Sequence, residues 1–247
     1  MSGERGAPLI QRIAAAAGSA FTELSRPDYG DRHRDLLALV TAVRAADLNI
    51  DAREHSPAES PPVTYMHICE TEAFSMGVFL MGPGASMPLH DHPGMNGMLK
   101  VLYGKVCISC YDKLEMNLAP PPQFEPPVTP LQTPFLRRSV LRSVAEFSGD
   151  CGPCLLTPVQ DNLHQISAVE GPAAFLDILA PPYDPGEGRD CHYYRVLQVA
   201  PGDGATDGTS AGEHQGGASA VTWLLEIPQP EEFWCGGEPY PGPPIAF

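Results

Sequence analysis

Positive charge is scarce in this sequence: 15 Lys and Arg stand against 30 Asp and Glu, a formal net charge of −15. Neutralising phosphates requires clustered Lys and Arg, so the balance excludes nucleic acid and membrane surfaces as partners. Small cationic ligands are compatible with it. Long apolar runs are also missing. No stretch approaches the ~18 consecutive apolar residues of a membrane span. The segment Met1-Ser-Gly-Glu-Arg-Gly-Ala-Pro8 lacks the basic-then-apolar pattern of a secretory leader, and the N-terminal helix is too poor in Arg to suggest a mitochondrial address. The seven cysteines are an odd number in a sizeable chain without such a leader. That predicts reduced thiols in the cytoplasm, with the nucleus also open to the chain, rather than a disulfide framework. Neither a heptad pattern nor a long apolar surface helix is visible, which predicts a monomer.

What is present is hydrophobic content enough for a real core (43%), broken up by 28 prolines and 24 glycines. That combination predicts many short strands and turns rather than long helices. Leu9, Ile13, Ala17, Phe21 and Leu24 recur at helical spacing, as do Leu36, Val40, Val43 and Ile50. Residues 1–60 therefore read as an N-terminal helical segment packing on something larger, closed by a Pro-rich turn from Ser56 to Pro62.

From Val63 the period becomes strand-like. Val63–Cys69, Phe74–Met81, Met98–Tyr103, Val106–Tyr111, Val140–Phe147, Cys154–Thr157, Leu163–Val169, Ala173–Leu179, His192–Val199 and Val221–Ile227 are short β runs. Glu170-Gly171 reads as a tight turn pairing the two runs that flank it. Residues 117–134 read as a Pro-rich surface insertion, residues 200–220 as a flexible Gly-rich loop, and Trp234–Pro244 as a tail draped over residues 61–247. Many antiparallel strands in one domain predict an all-β, jelly-roll type barrel.

The chemistry concentrates in Met87-Pro-Leu-His-Asp-His-Pro-Gly-Met-Asn-Gly97. On an extended segment residues two apart share a face, so His90 and His92 project together while Asp91 faces away. A third ligand must come from a distant strand, and His164 in Asp161-Asn-Leu-His is the best candidate. His67 and His192, also on predicted strands, compete with it; His33 is placed on a helix, His55 and His214 in loops.

Two cysteine motifs are set aside. Cys151-Gly-Pro-Cys154 spells a dithiol redox motif, yet strand and turn follow it where that role needs a helix. Cys107 and Cys110 are three apart on a strand and face opposite ways, which argues against a four-cysteine zinc site.

Gly84-X5-His90-X-His92 with Gly104 resembles the first motif of the cupins, and Gly152-X5-Pro158 followed by His164 their second motif with altered spacing. The glutamate ligand common in metal cupins is replaced by Gly97, or by Asn96 in the alternative spacing. Leu89-His-Asp-His-Pro-Gly-Met, Leu99-Lys-Val-Leu-Tyr-Gly, Asp161-Asn-Leu-His and Phe175-Leu-Asp-Ile-Leu-Ala-Pro-Pro-Tyr183 resemble the thiol dioxygenases of that superfamily, the animal cysteamine dioxygenases and plant cysteine oxidases. The resemblance runs from the N-terminal helix to Phe233-Trp234 and is weakest in the two insertions.

It implies a cupin-type double-stranded β-helix holding Fe(II) on His90, His92 and His164. Three neutral ligands on one face of an octahedral metal leave the other positions open and keep the full dication charge, which favours a thiolate. The implied reaction places both atoms of O2 on sulfur. Cysteamine would give hypotaurine, and N-terminal cysteine of peptides or proteins the sulfinic acid, with oxygen sensing through the N-degron pathway as the implied role. Three histidines also suit zinc, so a zinc hydrolase or isomerase, or a non-catalytic ligand-binding cupin, stays open on the residues alone.

Asp177 is an apolar-strand carboxylate that would be expensive to bury unpaired. One reading gives it a protein partner; the other, which the resemblance favours, faces it to the amino group of an aminothiol or peptide N-terminus. Tyr183 and Tyr193 are candidate hydrogen-bond donors to substrate or oxygen, with ordinary barrel aromatics as the alternative. Cys191 and Tyr193, two apart on one strand, match the position of a thioether cross-link found in thiol dioxygenases; two packed side chains are the alternative.

Overall fold

The structure, a computed structural model, describes residues 6–22, 29–52, 61–115, 120–201 and 221–247. The expectations for His55, His214 and nearly all of the Gly-rich segment lie outside these residues. Two helices come first, α1 (Leu9–Phe21) and α2 (Tyr29–Ala42). Alanine, the strongest helix former, dominates α1, which starts directly after Pro8, a residue tolerated at a helix start because no intrahelical N–H is needed there. Ile10, Ile13, Ala17 and Leu36, Val40 form the inward stripes and are fully buried. Each large aliphatic among them contributes about 1.5–3 kcal/mol by leaving water.

Among the described residues eleven strands follow: β1 (Val63–Glu70), β2 (Ser75–Met81), β3 (Ser86–Asp91), β4 (Asn96–Leu114), β5 (Phe124–Glu125), β6 (Leu136–Ser148), β7 (Cys154–Leu156), β8 (Leu163–Ala180), β9 (Tyr193–Val199), β10 (Val221–Ile227) and β11 (Cys235–Gly237). Strands β3, β8, β4, β6, β10 and β9 pair in a closed antiparallel ring. The far halves of β4 and β8 continue beyond it into a second layer with β2, β1 and β7. The helices cover the outer face of that layer through Met66, Phe74, Val78, Met98 and Leu176. The tail adds β11 in parallel beside β1 and returns to α1, where Gln11 and Ala246 exchange hydrogen bonds.

Two sequence expectations need correction. Met98–Tyr103 and Val106–Tyr111 are one strand, β4, and Leu163–Val169 and Ala173–Leu179 are likewise one strand, β8. The two halves of β8 do not pair with each other; both pair with β4. Glu170-Gly171 is an irregularity within β8 rather than a hairpin turn, with φ of 58° and 124°. Across it the inward parity changes. Ile166 points into the barrel on one side, and Phe175 on the other. The same happens on β4, where Leu99 and Val101 are inward before Gly104, and Val106, Ile108 and Cys110 after it. Gly104 has φ +71°, and a Cβ there would lie 2.3 Å from the Pro172 carbonyl oxygen, so the crossing tolerates only glycine.

The Pro-rich insertion, where described, is anchored rather than free. Its β5 pairs with β9, and Phe124 packs with Leu136, Leu197, Trp223 and Leu225.

Candidate metal centre

His90 and His92 stand on and just after β3, and His164 opens β8 directly opposite His90 in register. Their ligand atoms all lie within 4.8 Å of one another, with ring centroids 4.6–4.9 Å apart. Among the described residues they are the one group of three or more His, Cys, Asp or Glu side chains so arranged. The Nδ1 of His90 lies 2.8 Å from the Pro88 carbonyl oxygen and that of His92 3.0 Å from the Asn162 carbonyl oxygen. Carbonyls accept only, so each Nδ1 carries the proton and each Nε2 is free to ligate. Burial holds all three imidazoles neutral. It lowers His90, takes His92 down to about 3 with help from His90, and puts His164 well below the usual histidine range. Three neutral nitrogens converging in a pocket suit a borderline divalent cation such as iron or zinc.

Asn162 was not anticipated as a functional residue. Its side-chain amide donates to the carbonyls of His92 (2.7 Å) and Thr157 (2.9 Å), and its Oδ1 accepts from the His92 amide. It thereby fixes the backbone of one histidine from the residue that immediately precedes the strand carrying another.

Asp91 was recognised only as facing away, and its partners were missed. It is fully buried and pairs with Lys113 on β4, the His192 amide (2.9 Å), His192 Nδ1 (3.1 Å) and the Tyr194 hydroxyl (2.8 Å). Burial alone would push this carboxyl up. Lys113, the His192 amide and Tyr194 outweigh it, and the net shift is downward. The ionised Asp91 ties β9 and β4 to the strand bearing the histidines, and His192 is not among the side chains whose ligand atoms converge. His67 sits exposed on β1, its ring 6.3 Å from that of Tyr65.

The histidines open into a cavity of about 240 Å³ whose walls include Phe79, Met87, Ile166, Phe175 and Phe233. Asp177, Tyr183, Cys191 and Tyr193 reach the same cavity. The irregularity at Glu170-Gly171 makes this possible. His164 and Asp177 are separated by an odd interval, so a regular strand would turn them to opposite faces. The Asp177 carboxylate accepts from the Ile178 amide, and among the described residues no cation neutralises it; burial pushes it up to about 7.

Tyr183 donates to the Asp91 carbonyl oxygen (2.7 Å), and its ring lies 5.7 Å from that of His92. Its single proton is thereby committed. The Cys191 thiol lines the cavity beside Tyr183 and Tyr193, and burial raises it to about 11. Both hydroxyls are also pushed up, first by burial and then by Cys191.

The two cysteine motifs stay outside this centre. Cys154 starts β7 with no helix behind it, and it contacts Cys110, while Cys107 lies on the other face of β4.

Comparison with known proteins agrees with this geometry. Residues 39–245 match the family model PCO_ADO. The chain is 53% identical over 255 residues to 2-aminoethanethiol dioxygenase of Mus musculus, covering 97% of each chain. It is 52% identical to that of Homo sapiens, covering 98% of this chain and 90% of the relative. Plant cysteine oxidase 1 of Arabidopsis thaliana is 31% identical, covering 68% of this chain and 52% of its own. Among solved structures, KdgF from Halomonas sp. aligns with a TM-score of 0.35 at 13% identity, over 54% of this chain and 92% of its own. A cupin superfamily protein from Desulfitobacterium hafniense aligns with a TM-score of 0.33 at 14% identity, over 54% and 84%. The barrel is a closed antiparallel one, and the chain belongs to the PCO_ADO family of thiol dioxygenases.

Proposed function

We propose that this chain is a ferrous-iron enzyme that converts a thiol and O2 to a sulfinic acid, acting on cysteamine, which gives hypotaurine, and on N-terminal cysteine of peptides and proteins. The observation that carries the reading is the juxtaposition of three neutral histidines with an unneutralised carboxylate, Asp177, across one small apolar cavity. Both substrates present a thiol and an ammonium group a few bonds apart, and the two ends of the cavity match them in kind. The volume suits a small aminothiol or the terminal residue of a chain.

His90, His92 and His164 would hold the iron. When bound, it supplies a dication that favours the thiolate and the redox chemistry that O2 requires. The chain's own residues do the rest. Asp177 positions the substrate amine, which recovers the penalty of its own burial. Phe79, Phe175 and Phe233 exclude water, which strengthens that pairing. Tyr183, fixed on the Asp91 carbonyl, braces His92 and the Cys191 thiol. Tyr193 is the donor with a proton to turn toward the reacting atoms, and the Cys191 thiol beside it supports the proposed Cys191–Tyr193 thioether, in which an S–C bond replaces the S–H and one ring C–H while O2 takes up the two electrons and two protons. The stoichiometry is closed without an added reductant: RSH and O2 give RSO2H. Within residues 1–60 the described helices α1 and α2 act as a cover for the barrel that follows, and the chain works as a monomer in the cytoplasm, with access to the nucleus. Dependence on O2 would let N-terminal cysteine oxidation report oxygen supply to the N-degron pathway.

The test is anaerobic reconstitution with Fe(II), followed by oxygen uptake and product mass with cysteamine and with a short peptide beginning in Cys. Two oxygen atoms gained on sulfur, lost in His164→Ala and on N-acetylation of the peptide, are expected. No uptake with either thiol despite bound iron would overturn the proposal.

A further inference from the structure

A second basin of about 450 Å³ continues from the metal cavity. The two share Phe79, Asp177, Leu179, Tyr183 and Cys235, so Asp177 stands at the junction. The basin's floor is the inner face of β1, β2 and β8, where register places Tyr65, Phe79 and Phe175 in one row and Glu70, Ser75 and Leu179 in another. In the middle row β2 carries Gly77, between His67 of β1 and Asp177 of β8, so no side chain of β2 stands there. The Tyr65 ring occupies that place, since a Cβ on Gly77 would fall 2.2 Å from it. Tyr65, Phe79 and Phe175 form a continuous aromatic wall from outer basin to metal cavity, with centroids 4.8 and 5.3 Å apart.

Among the described residues the basin is lined by two carboxylates, Asp177 and Glu70, and by no Lys, Arg or His. Glu70 is exposed on the outer edge. Two strand spacings and one step of two residues separate it from Asp177, about 12 Å between Cα atoms.

We propose that the outer basin receives the residue following the oxidised cysteine, and that Glu70 selects a lysine or arginine side chain there. This rests on the reading of N-terminal cysteine as a substrate and names its specificity. With the thiol at the histidines and the amine at Asp177, the peptide must leave past Asp177, and the basin is the space it enters. The next Cα lies one step of about 3.8 Å further on, and the flexible four-carbon stem of a lysine spans the remainder toward Glu70. The aromatic wall gives such a stem an apolar surface to lie on. An acidic side chain in the same place meets the like charge of Glu70, while Asp177 is already paired with the amine.

The experiment measures kcat/KM on iron-loaded enzyme for three peptides differing only in the second residue (Cys-Lys, Cys-Ala and Cys-Glu), with cysteamine as reference. Wild type is expected to favour Lys over Glu by about three- to tenfold at low salt, through KM, with the preference shrinking as salt screens it. In Glu70→Gln the three peptides converge to within about twofold, and in Glu70→Lys the order inverts, while cysteamine turnover stays at the wild-type rate. A preference that persists in both variants, or equal turnover of all three peptides by wild type, overturns the assignment of Glu70 and leaves the peptide reading standing. Oxidation of cysteamine with none of the three peptides turned over overturns both.

Discussion

Replacing Asp177 by Asn should stabilise the metal-free protein while strongly impairing its use of substrate. The carboxylate belongs to a wall otherwise rich in phenylalanine, and burial raises it from its ordinary 3.8 to about 7. A shift of about three units at about 1.4 kcal/mol each sets an upper bound of about 4 kcal/mol. Water in the cavity reduces this, and about 2 kcal/mol is the working value. The sign follows from linkage. Because the folded-state value is raised, the unfavourable contribution is absent below about pH 4, grows between pH 4 and 7 as the unfolded chain gives up its proton first, and is constant above that. Asn carries no charge at any pH, so the variant gains over wild type only above pH 4.

The assay is thermal unfolding of both proteins, stripped of metal with a chelator, from pH 5 to pH 8. At pH 8 the variant should melt roughly 4–8 °C higher, using about 2–4 °C per kcal/mol for a chain of this size. The gap should narrow steadily toward pH 5; groups common to both proteins cancel in the difference. Activity should move the other way, with kcat/KM for cysteamine falling about 100-fold, as a lost charge-assisted contact of about 3 kcal/mol requires. A melting difference independent of pH, or a variant less stable at pH 8, would refute the account of Asp177 as an unneutralised buried acid. Unchanged turnover would refute its role toward the amine.

Three further outcomes follow from the surroundings of the histidines. Asn162→Ala removes three hydrogen bonds at one buried position; metal affinity in a titration should fall about 10- to 100-fold, with about 1–3 kcal/mol lost in denaturant unfolding. Lys113→Met leaves the fully buried Asp91 without its cation. Urea unfolding at pH 7 should show a loss of about 3 kcal/mol. Because the wild-type Asp91 carboxyl is held low, that loss should shrink as acid protonates it in the variant. Gly104→Ala brings a Cβ to 2.3 Å from the Pro172 oxygen at positive φ; a loss of at least about 2 kcal/mol is expected, and a Tm within 1–2 °C of wild type would contradict the crossing geometry.

The residues differ in how far their roles were legible in the sequence. His90 and His92 could be read because a two-residue period on a short strand is local and survives anything that happens elsewhere in the barrel. His164 needed a partner strand from far along the chain, and its place at the start of a predicted strand pointed to it. The joining of β4 and β8 into double-length strands was not legible, since Gly104 and Glu170-Gly171 carry the same local signals as turns. What distinguishes them is the neighbouring strand, which supplies hydrogen bonds on both sides of the irregularity. For the same reason Asp177 was visible as an anomaly among apolar neighbours but not as a residue facing His164. Asp91 was legible only in its direction. Its partners Lys113, His192 and Tyr194 come from two other strands, and nothing local marks them. Phe124 carried a different lesson: one aromatic in a run of prolines is an anchor, and composition alone hides it.

The central claim is that this cavity joins both atoms of O2 to a thiol sulfur held beside a fixed amine site. Single-turnover oxidation of a Cys-initiated peptide under ¹⁸O2 by the iron-loaded enzyme, read by mass spectrometry of the product, tests it most directly. The account predicts a sulfinic acid carrying two heavy oxygens, with no product from the N-acetylated peptide. A product carrying oxygen from water, a disulfide in place of the sulfinic acid, or equal turnover of the acetylated peptide would contradict it.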